Sequence, residues 1–508
     1  MKRRWLHSGL AVAMLWGQSL MAQISLGPYI QRVKTDRATV VWYTDASTPG
    51  VLRYGTTSGQ WLSTINVPAG TVHAAEVTGL KPNTKYFYDI SDGAKTLATG
   101  QNYYFETHIP AGVRTPFSFI AAGDLGDGSQ NQKDIAARML SERPKHKFGL
   151  LLGDITYSNG ARSEYLKYYF PIYKELIPHF AFFPCLGNHD VKTSRAAAYM
   201  EFFYTPANNP DGLENYYSFD YANAHIAALD DELLISGNDF LKQLNWVKQD
   251  LADAKSRGQN WLIVMFHKPP YSAGTHGDDD FTKASIAPIL EAAGVDLVLC
   301  GHSHVAERTF LLNNNKIINQ STNTYPKTGA ATPVGTVYVV SGSGGKTGAI
   351  DAKHPLMAFQ QGDLGGFEIV YINGDTLRGK FMKKDGSIID NFTMTKKGNF
   401  TSVEMAKDSQ PPMQFVLNYP NPLRLSQAPE GLNITFEITR PTPIQAAVYD
   451  LTGREVARLS NGEIFNPGRH ALQWNGKGQQ GETIAAGAYF YRLQADSQTN
   501  TAKVLLLP

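Results

Sequence analysis

Short apolar runs set off by turn residues dominate the first hundred residues. Ala38-Thr39-Val40-Val41-Trp42-Tyr43 and Lys85-Tyr86-Phe87-Tyr88-Asp89-Ile90 read as strands, with Gly, Pro, Asn and Asp between the runs. From about Thr115 to Lys396 the pattern changes. Runs such as Phe117-Ser118-Phe119-Ile120-Ala121-Ala122 and Phe148-Gly149-Leu150-Leu151-Leu152 alternate with helix-like stretches at Asn131 to Ser141 and Asp239 to Arg257. That alternation predicts an α/β layered domain. Residues 397–413 are polar, include Gln410-Pro411-Pro412 and read as a linker. Beyond them the pattern is again all-β, with Tyr449-Asp450-Leu451-Thr452-Gly453-Arg454-Glu455-Val456 as strand, turn and strand.

The length of 508 residues fits this division into about three cores. With 42% hydrophobic and 18% charged residues the chain is globular. A net charge of +2, with dispersed Lys and Arg, gives no reason to expect nucleic-acid or membrane-surface binding. Lys2, Arg3 and Arg4 ahead of an apolar stretch from Leu10 to Met21 form a signal peptide ending at Ala22. No later stretch is apolar and long enough to span a bilayer. The two cysteines, Cys185 and Cys300, each end an apolar strand-like run and read as buried thiols rather than a disulfide.

Five segments carry the chemistry. They are Gly123-Asp124-Leu125-Gly126, Gly153-Asp154-Ile155-Thr156-Tyr157, Gly187-Asn188-His189-Asp190, Val264-Met265-Phe266-His267 and Gly301-His302-Ser303-His304. Each follows an apolar strand, where open α/β sheets place their ligand crevices. Alone, each would be an ordinary turn. Together they offer Asp124, Asp154, Tyr157, Asn188, His267, His302 and His304 as metal ligands, a donor set suited to hard or borderline ions. Two such ions held close by a shared carboxylate can hydrolyse a phosphoester, and Asp154, in the central motif, is the natural bridge.

The five segments resemble the metallophosphoesterase superfamily, and Gly-Asp-x-x-Tyr narrows the resemblance to the purple acid phosphatase family. The resemblance implies that Asp124, Asp154, Tyr157 and His304 bind iron(III), while Asp154, Asn188, His267 and His302 bind divalent iron, zinc or manganese. It also implies that His189 and His276 lie beside the substrate and serve catalysis, with Asp190 orienting its neighbours. The implied reaction is acid phosphatase hydrolysis of small-molecule phosphate monoesters by a metal-bound hydroxide.

The flanking segments carry further resemblances. Val77 to Tyr86 is similar to the turn and tyrosine corner of fibronectin type III-like sandwiches. Tyr419-Pro420-Asn421-Pro422, Val448 to Arg454 and Gly487-Ala488-Tyr489-Phe490-Tyr491 resemble the sorting domain of type IX secretion substrates in Gram-negative bacteria. The expected architecture is therefore multidomain. A signal peptide (1–22) precedes an all-β fibronectin-like sandwich (23–112) and a central α/β metallophosphoesterase β-sandwich layered with helices (113–396). A linker (397–413) leads to an all-β immunoglobulin-like sorting domain (414–508). The type IX secretion machinery would then be a partner, and the product would be secreted or cell-surface attached after passing through the periplasm. A phosphodiesterase or nucleotide hydrolase using the same metals is the competing enzyme reading. A surface-binding protein with a degenerate catalytic domain is the non-enzyme one.

Overall fold

The computed structural model describes residues 22–232, 237–327, 335–350 and 352–396, and, further on, 413–419, 421–426, 431–438, 441–495 and 498–507. The expected signal segment 1–21, most of the 397–413 linker and Pro420 lie outside the described residues.

Two seven-stranded sheets form the centre. In the first the order is Thr324–Pro326, Ile388–Thr395, Thr376–Lys383, Gly366–Asn373, Phe117–Ala122, Gly149–Leu152, Phe182–Cys185. In the second it is Tyr217–Tyr221, Ala224–Ala228, Trp261–Met265, Leu297–Cys300, Val337–Ser341, Ala306–Thr309, Met357–Gln361. Within each sheet the strands ahead of the five motifs run parallel to one another, with Phe117–Ala122 also pairing antiparallel to Gly366–Asn373, and all are buried along their whole length. Burial on both faces is why they read as continuous apolar runs rather than alternating ones.

Phe119, Leu150, Leu152 and Phe183 of the first sheet share one core with Ile226, Ile263, Leu297 and Val339 of the second. The opposite faces are covered by helices. Ile135 and Met139 of Gln130–Glu142 pack with Ile120 and Leu151, and Val247 and Leu251 of Gly237–Ser256 pack with Val264 and Val298. The first helix starts at Ser129, whose hydroxyl accepts from the Gln132 amide. The first helix extends the expected stretch by one residue at each end; the second starts two residues earlier than expected and stops one residue sooner. Cys185 and Cys300 are free and buried.

Residues 22–110 form a β-rich domain around Val40, Trp42, Leu52, Tyr86, Tyr88 and Ile90. The Tyr86 hydroxyl accepts from the Lys81 amide at 2.9 Å, closing the corner read from the sequence. The Tyr88 hydroxyl donates to Pro178 O at 2.8 Å, which ties this domain to the first sheet's flank. The last segment forms a three-stranded and a five-stranded sheet over one core that includes Leu432, Phe436, Val448, Trp474 and Tyr491.

One buried histidine held between two carboxylates makes stability pH-dependent. His225 lies 2.7 Å from Asp220 and 2.8 Å from Asp250, with Arg257 on the far side of Asp220. Burial alone would lower its pKa, but the two carboxylates outweigh burial and raise it. A raised folded pKa stabilises fully below the unfolded value near 6.5, and the contribution fades as pH rises through the folded pKa. His225→Gln should therefore cost more stability at pH 6 than at pH 9. Equal costs in denaturant titrations at both pH values would contradict this.

Candidate metal centre

The five motif loops meet at the C-terminal ends of the parallel strands of both sheets. Asp124, Asp154, Tyr157 and Asn188 come from the first sheet; His267, His302 and His304 come from the second. One group forms around the tyrosine. Its hydroxyl donates to Asp124 Oδ1 at 2.7 Å and lies 3.2 Å from His304 Nε2, which is itself 3.4 Å from Asp124 Oδ1. A second group forms around the amide. Asn188 Oδ1 lies 2.9 Å from His302 Nδ1 and 3.2 Å from His267 Nε2. Asp154 faces both groups, through Tyr157 on one side and through His267 Nε2, 3.4 Å from its Oδ1, on the other. Donor atoms of Asp124, Asp154 and His267 all lie within 4.8 Å of one another.

Local backbone geometry aims these groups. Asp124, Asp154 and His302 have φ of 59°, 49° and 66°, a left-handed conformation that costs energy in a residue with a Cβ. Such strain persists where surrounding contacts fix it. The His302 amide donates to Asp124 Oδ2 at 2.8 Å, leaving Oδ1 for the centre. The His267 Nδ1–H donates to Leu152 O at 2.8 Å, which turns the Nε2 lone pair inward. Glycine is required at position 187. A Cβ there would lie 2.1 Å from the Asp154 amide nitrogen and 2.3 Å from its carboxylate.

Asp190 is buried and accepts from the Ile155 and Gly187 amides at 3.1 and 3.0 Å and from the Tyr165 hydroxyl at 2.7 Å. It holds two ligand loops together, as expected of an orienting residue, and burial pushes its pKa up to about 7.

The electrostatics suit cations. Burial would raise Asp154, but His267 and His189 hold its pKa below the usual range. Burial would lower His267, but Asp154 and Asp124 outweigh it and raise it well above its ordinary value. His302 is held down to about 2 by burial and by His267 and His276, so it is a neutral donor. Burial together with Asp124 and Asp154 raises the Tyr157 hydroxyl well above its ordinary value. A cation between these groups would reverse that last effect by stabilising the phenolate. Two carboxylates, a phenol, an amide oxygen and three imidazoles in this arrangement fit a pair of hard or borderline ions.

The two histidines expected beside the substrate, His189 and His276, are also brought here. His189 Nδ1–H donates to Ser158 O at 2.6 Å, its ring centre is 4.5 Å from that of Tyr157, and its Nε2 is 3.9 Å from Asp154 Oδ2. The His276 ring stacks on His302 at 4.3 Å and lies 5.7 Å from His304. Its loop is held by Asp278, which accepts from the Ser272 amide at 2.9 Å and pairs with Lys283 and His354.

Three nearby residues escaped sequence reasoning. Asp231 accepts from the His267 and Lys268 amides at 3.1 and 2.6 Å and fixes that ligand loop. Its signal was present: Asp230-Asp231-Glu232 follows an apolar strand, as the ligand motifs do. Lys192 reaches the His189 ring, and Lys346 Nζ lies 4.9 Å from the centre of the Tyr157 ring. Neither lysine had a distinguishing pattern.

Comparison with known proteins agrees with this geometry. Residues 117–306 match the calcineurin-like phosphoesterase family, and residues 28–107 match the purple acid phosphatase N-terminal domain. Purple acid phosphatase 18 of Arabidopsis thaliana is 26% identical over 362 residues, which is 66% of this chain and 75% of the relative. Acid phosphatase type 7 of Danio rerio is 27% identical, covering 70% of this chain and 88% of the relative. The chain spans 56% to 65% of the Arabidopsis purple acid phosphatases 15, 21 and 23. Among solved structures, a purple acid phosphatase from yellow lupin (Lupinus luteus) seeds aligns with a TM-score of 0.64 at 19% identity, over 73% of this chain and 74% of its own. The chain is thus similar to the purple acid phosphatases, its match to the calcineurin-like phosphoesterases (117–306) preceded by a match to the purple acid phosphatase N-terminal domain (28–107).

Proposed function

We propose that this chain is an exported acid phosphatase that hydrolyses phosphate monoesters at a binuclear metal centre. One observation carries the reading: seven donor side chains from two sheets converge in two groups that share Asp154. Asp124, Asp154, Tyr157 and His304 would hold iron(III). Asp154, Asn188, His267 and His302 would hold a divalent iron, zinc or manganese ion. When bound, the pair would supply a nucleophilic water of lowered pKa and neutralise the phosphoryl oxygens.

The residues around the ions have separate tasks. His189 keeps its Nδ1 proton on Ser158 O, so Nε2 is the atom that faces substrate. Protonated there, it would pair with the phosphoryl group and give its proton to the leaving oxygen. His276, stacked on His302, offers a second imidazole on the other side of the ester. Asp190 and Asp231 hold the ligand loops through backbone amides. With every ligand position filled by a donor, a degenerate binding protein is the weaker reading.

The flanking regions complete the proposal. The N-terminal domain (23–112) would be a fibronectin type III-like sandwich, a reading supported by the Tyr86–Lys81 corner. The catalytic domain would span 113–396, with a linker at 397–413. Residues 414–508 would form an immunoglobulin-like type IX sorting domain, a reading supported by two sheets over one core. Among the described residues, no helix is long and apolar enough to cross a membrane. Export would begin from the 1–22 signal and end with the enzyme released or attached to the cell surface.

The test uses residues 23–508 loaded with iron and zinc, assayed on a chromogenic phosphate monoester and the matching diester. Dominant monoester turnover is expected. Dominant diester turnover would overturn the substrate class. No turnover of either, with both metals bound, would overturn the catalytic reading. An exported protein that always retains residues 414–508 without surface attachment would sink the sorting assignment.

A further inference from the structure

Beside the centre lies a cation that the ligand scheme does not use. Lys192 Nζ sits 2.9 Å from His189 Nδ1 and 3.2 Å from Nε2, and 3.4 Å from Ser158 O. The ammonium thus lies against the His189 ring, within 3.2 Å of both nitrogens and nearer Nδ1. The side chain is exposed.

The neighbouring acidic groups are engaged elsewhere. Glu164, on the neighbouring loop, accepts from the Ser158, Asn159 and Ala161 amides at 2.7, 3.0 and 2.9 Å. Asp190 is buried and bonded to two amides and a hydroxyl. Asp154 is 1% exposed and accepts from the His189 amide at 2.7 Å. Across the same rings, Lys346 Nζ lies 4.9 Å from the Tyr157 ring centre, and that ring is 4.5 Å from His189. Two ammonium groups therefore border the place where the ester would sit. The proposed metal pair would already supply positive charge for the scissile phosphoryl group.

We propose that Lys192, assisted by Lys346, recognises a second anionic group on the substrate. The site would then favour phosphate compounds that carry another phosphate or carboxylate close to the scissile ester. This rests on the phosphomonoesterase reading above and names its substrate class. A lysine ammonium suits this role as a mobile point charge on a flexible stem, able to follow substrates of different shape. In contact with a free anion it forms a charge-assisted hydrogen bond, stronger than a neutral one.

The test compares glucose 6-phosphate with glucose 1,6-bisphosphate on the metal-loaded chain, wild type against Lys192→Gln, Lys192→Arg and Lys346→Gln. For Lys192→Gln the bisphosphate KM should rise about tenfold, equivalent to ~1.4 kcal/mol, while kcat and the glucose 6-phosphate KM hold within about threefold. Lys192→Arg should restore the wild-type preference, and Lys346→Gln should show a smaller loss of the same kind. The wild-type preference should also shrink with added salt, because exposed charges are screened. An equal fall in kcat for both substrates would overturn the proposal and make Lys192 a positioning residue for His189. Unchanged KM for both would overturn it too. If wild type hydrolysed neither compound nor the chromogenic monoester, the parent reading would fail instead.

Discussion

Asp154→Ala is expected to lower phosphomonoester turnover by about 10³-fold or more and to strip the protein of bound metal. Asp154 is the one carboxylate that faces both donor groups. Without it the remaining residues divide into Asp124, Tyr157 and His304 on one side and Asn188, His267 and His302 on the other. Each half then has three donors, and nothing anionic separates two cations that must lie close together. Asp154 also accepts from the His189 amide, so its loss frees the loop that carries His189. Metal content measured on the purified variant, with circular dichroism as a folding control, separates loss of the centre from loss of the fold. A folded Asp154→Ala protein that kept both metals and its turnover would refute the shared-ligand geometry.

The second large effect is on stability. Asp296→Ala should destabilise the catalytic domain by about 3–5 kcal/mol, because it leaves buried cations uncompensated. Asp296 is fully buried ahead of the strand Leu297–Cys300. Its carboxylate pairs with Lys327 at 2.5 Å and Lys396 at 2.7 Å, and accepts from the Leu262 amide at 2.8 Å. Burial would raise its pKa, but the two lysines hold it below the usual carboxylate range. Burial dominates at Lys327 and lowers its pKa, so this lysine is the group that suffers most once the carboxylate is gone. The melting transition should fall by roughly 10 °C. Adding Lys327→Met to Asp296→Leu should recover much of the loss, since an apolar replacement of both partners removes the stranded charge. A loss under about 1 kcal/mol for Asp296→Ala would mean that water solvates the pair.

The legible part of the molecule was the part governed by local pattern. Strands such as Phe117–Ala122 and Leu297–Cys300 are buried along their whole length and almost entirely apolar because helices and the opposite sheet cover both faces, and the ligand motifs follow them directly. The tyrosine corner could be read because its hydroxyl bonds only five residues upstream. Residues whose role depends on distant chain segments could not be read in this way. Lys346 follows a glycine turn like any surface lysine, and only the fold carries it to Tyr157 from nearly two hundred residues away. Asp296 looks like a polar residue before a strand, and its two lysine partners come from far later segments. Asp231 had a readable signature, but its carboxylate serves backbone amides rather than a cation, and no sequence pattern separates those uses.

The division of ligands between the two sheets has a mechanical consequence. Asp124, Asp154, Tyr157 and Asn188 extend from one sheet and His267, His302 and His304 from the other, so neither sheet alone would hold a complete coordination shell. Bound ions would act as rivets through the sheet pair, and the work of prising the sheets apart would include the work of breaking coordinate bonds. Chelation should then soften the domain at the mouth first. Two fragments severed in the stretch between Asp190 and Tyr217 would still meet through the pairing of Phe117–Ala122 with Gly366–Asn373, and added metal should slow their separation.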